Sequence, residues 1–120
     1  MPSIAVSAPG KLVITGEYAV IDGASAIALA VNRRSRVSVS ATIGQSVLEV
    51  TTSDTERFPF IWQADGSLEF TDNDPAERGE LLRVLLEQLV GRLPAALPDV
   101  VISIDSSEFY LATDGQKLGL

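Results

Sequence analysis

The chain has 120 residues, 46% of them hydrophobic and 21% charged, which is the composition of a globular domain or part of one and excludes a disordered chain. It contains no cysteine and no histidine, so disulfide staples, thiolate or imidazole metal sites and Ser-His-Asp catalysis are excluded within it. The net charge of −7 is uneven: residues 1–40 carry four cations and two carboxylates, and the remainder carries five and fourteen. A nucleic-acid partner is not expected of so acidic a chain, because phosphate contacts need clustered Lys and Arg. The positive balance near the N-terminus is compatible with a small anionic ligand, while the acidic surface can equally serve solubility alone.

In chain order, Ile4 to Ala8 reads as a short strand stopped by Pro9-Gly10, and Lys11 to Thr15 as a second one stopped by Gly16. Glu17 to Ile21 leads into Asp22-Gly23, a strong turn signal. Ala24 to Val31 is a nearly continuous apolar run, expected to be buried on both faces and far short of the ~20 residues of a membrane helix, so no membrane partner is expected. From Arg36 to Ile43 apolar and polar residues alternate at the period of a half-buried strand. Val47 to Thr51 and Phe58 to Gln63 read as strands, and Asp65-Gly66 with Ser67 to Phe70 as a hairpin continuation. Phe58, Phe60 and Trp62 are expected in the core or on a sheet face.

The period then changes. Asp74 reads as an N-cap, Pro75 as the first helical residue and Glu77 as the partner in a capping box. Leu81, Leu82, Leu85, Leu86, Leu89, Val90 and Leu93 recur at helical spacing, and Pro94 and Pro98 close the helix. Val100 to Asp105 alternates as a last strand before a polar, then glycine-rich tail. Strands, one amphipathic helix and a further strand predict an α+β fold with a largely antiparallel sheet and the helix on one face. The start has no basic, apolar leader, and with no cysteine present a reducing cytoplasm is the expected location.

The chemistry concentrates between Ala8 and Gly23. Pro9-Gly10 turns the backbone and delivers Lys11, while Glu17 and Tyr18 follow the next glycine, so a cation, a carboxylate and a phenol can converge on one cleft. On spacing alone, a lysine after a turn is more often a solvated surface residue. Asn32-Arg33-Arg34 can face a phosphorylated ligand or simply form a charged turn. Asp105 to Tyr110 can form a pocket wall or a plain serine-rich strand end.

The run Pro9-Gly10-Lys11, four residues, then Gly16-Glu17-Tyr18-Ala19-Val20 resembles the first signature of the GHMP kinases, the family of galactokinase, homoserine kinase, mevalonate kinase and phosphomevalonate kinase. Many members carry Glu-His where this chain has Glu17-Tyr18, and the Glu-Tyr-Ala-Val form resembles the phosphomevalonate kinase branch. The C-terminal Lys117-Leu118-Gly119-Leu120 resembles the opening of the family's second signature, a phosphate loop whose backbone N–H groups cradle ATP.

The resemblance implies ATP and Mg²⁺ as cofactors and 5-phosphomevalonate as the phosphate acceptor, with mevalonate or another GHMP substrate as the alternative. It implies a role for Lys11 beside the transferring phosphoryl group, for Glu17 and Tyr18 in the acceptor site, and for Lys117 and Gly119 as phosphate ligands. The implied fold is an α+β two-layer sandwich of the GHMP N-terminal type, incomplete at its C-terminal end. Residues 1–120 would be the N-terminal part of the ATP-binding domain. The carboxylates that bind Mg²⁺ and accept the proton would lie beyond residue 120, so Asp22, Asp105 and Asp114 are not assigned to those roles. A non-catalytic fragment or small-molecule-binding domain is the alternative of a different class.

Overall fold

A computed structural model of the chain describes residues 3–71, 77–92, 98–111 and 113–118. Strands β1 (Ser3–Thr15) and β2 (Ile27–Ala41) form a long hairpin, interrupted at its tip by a 3₁₀ turn at Ala19–Asp22. Then come β3 (Ser46–Thr51), β4 (Thr55–Trp62), β5 (Leu68–Phe70), helix α1 (Glu77–Val90), β6 (Val100–Asp105) and a 3₁₀ turn at Ser107–Phe109. The six strands make one sheet in the order β1-β2-β6-β3-β4-β5. Among the described residues only β3 and β6 pair in parallel, and the other neighbours are antiparallel, so the sheet is mixed and the class is α+β. No helix among the described residues is long and apolar enough to cross a membrane.

The core lies at the centre of this sheet and not across its width. Leu48 and Val50 of β3, Phe60 of β4, Leu68 of β5, and Val100 and Ile102 of β6 form one buried cluster. The register explains it: Leu48 lies beside Phe58 on one side and Ile102 on the other, and Phe60 lies beside Phe70. Phe60 meets Trp62 edge to face, with centroids 5.2 Å apart, and Phe58 meets Phe70 at 5.8 Å, as expected of these aromatics.

Helix α1 seats Leu82 and Leu86 against the cluster, one turn apart, and its Glu87 accepts the backbone N–H of Leu68 at 2.8 Å. Arg83 bridges Glu80 and Glu87 on the polar side. The apolar stripe is wider than its seat: Leu81, Leu85 and Leu89 stay exposed, because α1 meets only the β5 side of the sheet. Asp74, Pro75, Leu93 and Pro94 lie outside the described residues.

Three expectations are corrected here. Pro9-Gly10 does not end a strand. β1 runs through it, and the pairing slips instead, from Pro9 opposite Arg34 to Lys11 opposite Ala30. Proline is tolerated there because β1 is the sheet edge, where a missing N–H breaks no outer ladder. Second, Ala24 to Val31 is not buried: all but the half-buried Val31 are exposed, since the hairpin extends past the part of the sheet that α1 covers. Third, Asn32-Arg33-Arg34 is not a turn but the middle of β2, which is continuous from Ile27 to Ala41.

This layout sets unequal mutational costs. Phe60→Ala removes a fully buried ring and is expected to cost about 3–5 kcal/mol. Ile61→Ala, whose side chain faces water, is expected to fall within about 0.5 kcal/mol of the unmodified chain. Urea unfolding, followed by far-ultraviolet circular dichroism and by the single tryptophan, checks both.

Candidate functional site

The residues of the first motif sit on and just beyond β1. Gly16, which ends the strand, has φ +82°, and a Cβ there would come within 2.5 Å of Ser25 O and 2.8 Å of Ala26 Cα. Only glycine fits both the dihedral and the space. Its carbonyl accepts the Val20 N–H at 3.1 Å and so starts the 3₁₀ turn, which Gly23, at φ 90°, closes by donating to Val20 O. Glu17 and Tyr18 are thereby held between a fixed glycine and a short helical turn. Both are exposed, Tyr18 at 79%, and Lys11 is exposed as well. No side-chain hydrogen bond or ion pair among the described residues ties Lys11, Glu17 or Tyr18 to one another or to Lys117.

A cleft of about 830 Å³ lies between the loop after β3, the turn after β6 and the tail. The loop after β3 lines it with Thr52, Ser53 and Asp54, and the turn after β6 with Ser107, Glu108 and Tyr110. Arg33 of β2 enters from beneath, and its guanidinium donates to Glu108 O at 3.0 Å. The far wall is the tail, which folds back on itself. Leu111 N–H donates to Gln116 O at 2.8 Å, Leu118 N–H to Phe109 O at 2.7 Å, and Tyr110 and Lys117 pair as an isolated bridge. Lys117 is therefore attached to the cleft wall, whereas Gly119 lies outside the described residues. Gly115, at φ +70°, lets the tail approach the β3–β4 loop closely, since a Cβ there would sit 3.0 Å from Ser53 Cβ.

The β2–β6 junction under the cleft is tied by polar contacts. Arg36 pairs with Glu108, and the Ser35 and Ser106 hydroxyls lie 2.7 Å apart. Next to it, Arg34 Nε donates to Ser7 Oγ at 2.8 Å, which fixes β1 immediately before Pro9. Arg33 and Arg34 thus flank the slip in register that brings Gly10 and Lys11 past β2. Arg33 lines the cleft, whereas none of the residues from Ala8 to Gly23 does. Of the stretch from Asp105 to Tyr110, Ser107, Glu108 and Tyr110 line the cleft, and Thr52, Ser53, Asp54 and Gly115 are lining residues that the sequence did not single out.

The lining bears one cation, Arg33, against the carboxylates of Asp54, Glu108 and Asp114. Such a wall disfavours a cluster of phosphates and suits groups that donate hydrogen bonds, such as ribose hydroxyls or amines. Its volume falls within the range of small-molecule sites. Among the described residues, no three carboxylates gather as a metal site, so none is assigned to Mg²⁺.

The sequence of the chain is similar to those of two curated proteins. The phosphomevalonate kinase of Streptomyces sp. strain CL190 is 36% identical over 125 aligned positions, covering 94% of this chain and 32% of that enzyme. The mevalonate kinase of Archaeoglobus fulgidus is 41% identical over 66 positions, covering 48% of this chain and 22% of that enzyme. The chain thus spans about a third and about a fifth of the length of these relatives. No family model and no solved structure matches it.

Asp105, the last residue of β6, is held below the ordinary carboxylate range. The Ser107 hydroxyl is the main cause, the Ser107 N–H at 2.9 Å the next, and Arg36 a smaller one, all acting against partial burial. A depressed folded pKa means that the stabilisation is complete above the unfolded value of about 3.9 and is lost as pH falls through the folded value. Ser107→Ala is expected to move the Asp105 titration upward, read from its carboxyl carbon by NMR. It is also expected to lower stability at neutral pH and make its loss below about pH 4 shallower.

Proposed function

We propose that this chain, a relative of the GHMP-type kinases, is the N-terminal part of an ATP-dependent kinase that phosphorylates 5-phosphomevalonate to the diphosphate. The observation that carries the reading is the first motif itself: Gly16, with no room for a Cβ, fixes the exposed Glu17 and Tyr18 at the end of the strand that bears Lys11. The match to a phosphomevalonate kinase over nearly the whole chain supports that branch. The shorter but more identical match to a mevalonate kinase supports a mevalonate-phosphorylating alternative.

In this reading the chain forms the first part of the ATP-binding domain, an α+β sandwich of the GHMP N-terminal type. The cleft takes the nucleoside half of ATP, where the acidic lining accepts hydrogen bonds from ribose and base. Lys117, whose backbone bridges to Tyr110 of the cleft wall, is the phosphate ligand of this reading, followed by Gly119 as the first glycine of the phosphate loop. Lys11 neutralises charge near the phosphoryl group in flight, and Glu17 and Tyr18 bind the acceptor from the turn that Gly16 and Gly23 fix. ATP, when bound, supplies the transferable phosphoryl group. Mg²⁺ and the proton acceptor are not assigned to residues of this chain.

A chimera tests this, with the chain replacing the matching third of the Streptomyces enzyme. It is expected to show a higher kcat/KM for phosphomevalonate than for mevalonate, and the reverse order would favour the alternative. In it, Lys11→Ala is expected to lower kcat by ~10²–10³ with a smaller change in either KM. Lys11→Met should be equally damaging, and Lys11→Arg a partial rescue. The 120-residue chain alone is expected to show no turnover. Wild-type kcat in a folded Lys11→Ala chimera would remove Lys11 from the mechanism.

A further inference from the structure

The arginines of β2 do not all turn the same way. Arg33 and Arg36 both engage Glu108, in the turn after β6, whereas Arg34 turns to β1. Its Nε donates to Ser7 Oγ at 2.8 Å and its Nη2 to the Ser7 backbone carbonyl at 3.3 Å. One planar fork thus holds the side chain and the main chain of the same residue. Ser7 stands opposite Arg36 in the ladder, so Arg34 reaches it diagonally, across the position of Pro9. Immediately past Pro9 the ladder breaks. β1 moves from Pro9 to Lys11 while β2 moves from Arg34 to Ala30, and Gly10, between them, is buried where its neighbours on β1 are exposed. An unbroken ladder would instead set Lys11 opposite Asn32. The registers differ by two residues, about 7 Å along the strand, and both leave every side chain on the same face. Alternation of apolar and polar residues therefore cannot choose between them, and a specific tie has to.

We propose that Arg34 is a positioning residue for Lys11: by clamping Ser7 it holds the bulge that sets Lys11 opposite Ala30. The inference rests on the reading of Lys11 as the cation beside the transferring phosphoryl group. Beyond Lys11, β1 is fixed by Gly16, which has no room for a Cβ against Ser25 and Ala26. On the other side, the side-chain tie between β1 and β2 among the described residues is the Arg34 clamp. Lys11 is exposed and makes no side-chain bond of its own among the described residues, so the backbone beneath it sets its place. A ladder free to slide would carry Lys11 by about 7 Å. A misplacement of about 1 Å can already cost of order 10² in rate. Lysine in place of Arg34 keeps the charge and loses the fork, which separates a clamp from a direct electrostatic role.

The chimera carrying this chain provides the kinetic test. Arg34→Ala is expected to lower kcat by roughly tenfold or more with little change in either KM. Combined with Lys11→Ala it should be no slower than Lys11→Ala alone, because a residue that acts only through Lys11 has nothing left to position. Ser7→Ala, which removes one acceptor and no charge, should lower kcat in the same direction by less, and Arg34→Lys should not restore it. Effects that multiply in the double variant, or full rescue by Arg34→Lys, assign Arg34 to the ligand directly and overturn the proposal. A slow Lys11→Ala beside an unimpaired Arg34→Ala overturns this inference alone. Wild-type kcat in Lys11→Ala overturns it together with the reading it rests on. NMR of the chain itself reads the register separately. Cross-strand contacts of Lys11 with Ala30 are expected to weaken in Arg34→Ala and in Ser7→Ala, while those of Ile4 with Val39 persist. Unchanged contacts of Lys11 with Ala30 in both variants overturn the proposal. Should Arg34→Ala fail to fold, Ser7→Ala, at an exposed position, carries both readouts.

Discussion

The fold hangs on one long-range join, the parallel pairing of β3 with β6. The hairpin β1–β2 reaches the rest of the molecule through β6, and the meander β3–β4–β5 carries α1 and most of the aromatic core. Neither half has a complete hydrophobic partner until Leu48 and Val50 lie beside Ile102 and Ile104. A buried serine starts the join. Ser46 Oγ accepts the Val100 N–H at 3.0 Å, and Asp99 nearby accepts the Gly44 N–H and lies within reach of the same hydroxyl. A polar group placed so deep is tolerated because it is paired, and its pairing fixes the relative start of the two strands.

The same join builds the cleft. β3 and β6 end together, with Thr51 beside Asp105, so the loop after one and the turn after the other open side by side. Loops at the end of adjacent parallel strands are a recurrent place for ligands, since a rigid sheet positions them while their side chains stay free of packing duty. The tail completes the wall only because Gly115 permits a close approach to Ser53.

Much of this was legible in the sequence where one physical signal dominates. The strand Val100–Asp105 follows from period-two alternation and Val47–Thr51 reads as a strand as well, and the structure finds both at the same places, within one residue. Helix α1 is legible in its leucines, but not which of them are covered: Leu82 and Leu86 look the same in sequence as Leu81 and Leu85, and only the width of the sheet beneath separates them. The long edge strand was not legible, because Pro9-Gly10 signals a stop locally while pairing with β2 overrides it. Ala24 to Val31 misleads in the same way, since apolar character shows a need for cover and says nothing of whether cover arrives. In the site, the motif residues stood out by their glycine punctuation. Thr52, Ser53 and Asp54 did not, because a cleft-lining loop and an ordinary hairpin turn use the same residues.

The order of strands in the sheet has a consequence in time. β2 must wait for β6, which is made only after β3, β4, β5 and α1 have emerged. At about 5–20 residues per second, the interval between the end of β2 and the end of β6 is roughly 3–13 s on the ribosome. A local hairpin closes in about 1–10 μs, so β1–β2 stands complete but unsupported for nearly all of that interval, both of its outer edges open. The nascent chain therefore passes through a stage in which its most apolar, least charged segment is also its most exposed, and this is when a chaperone would have most to hold.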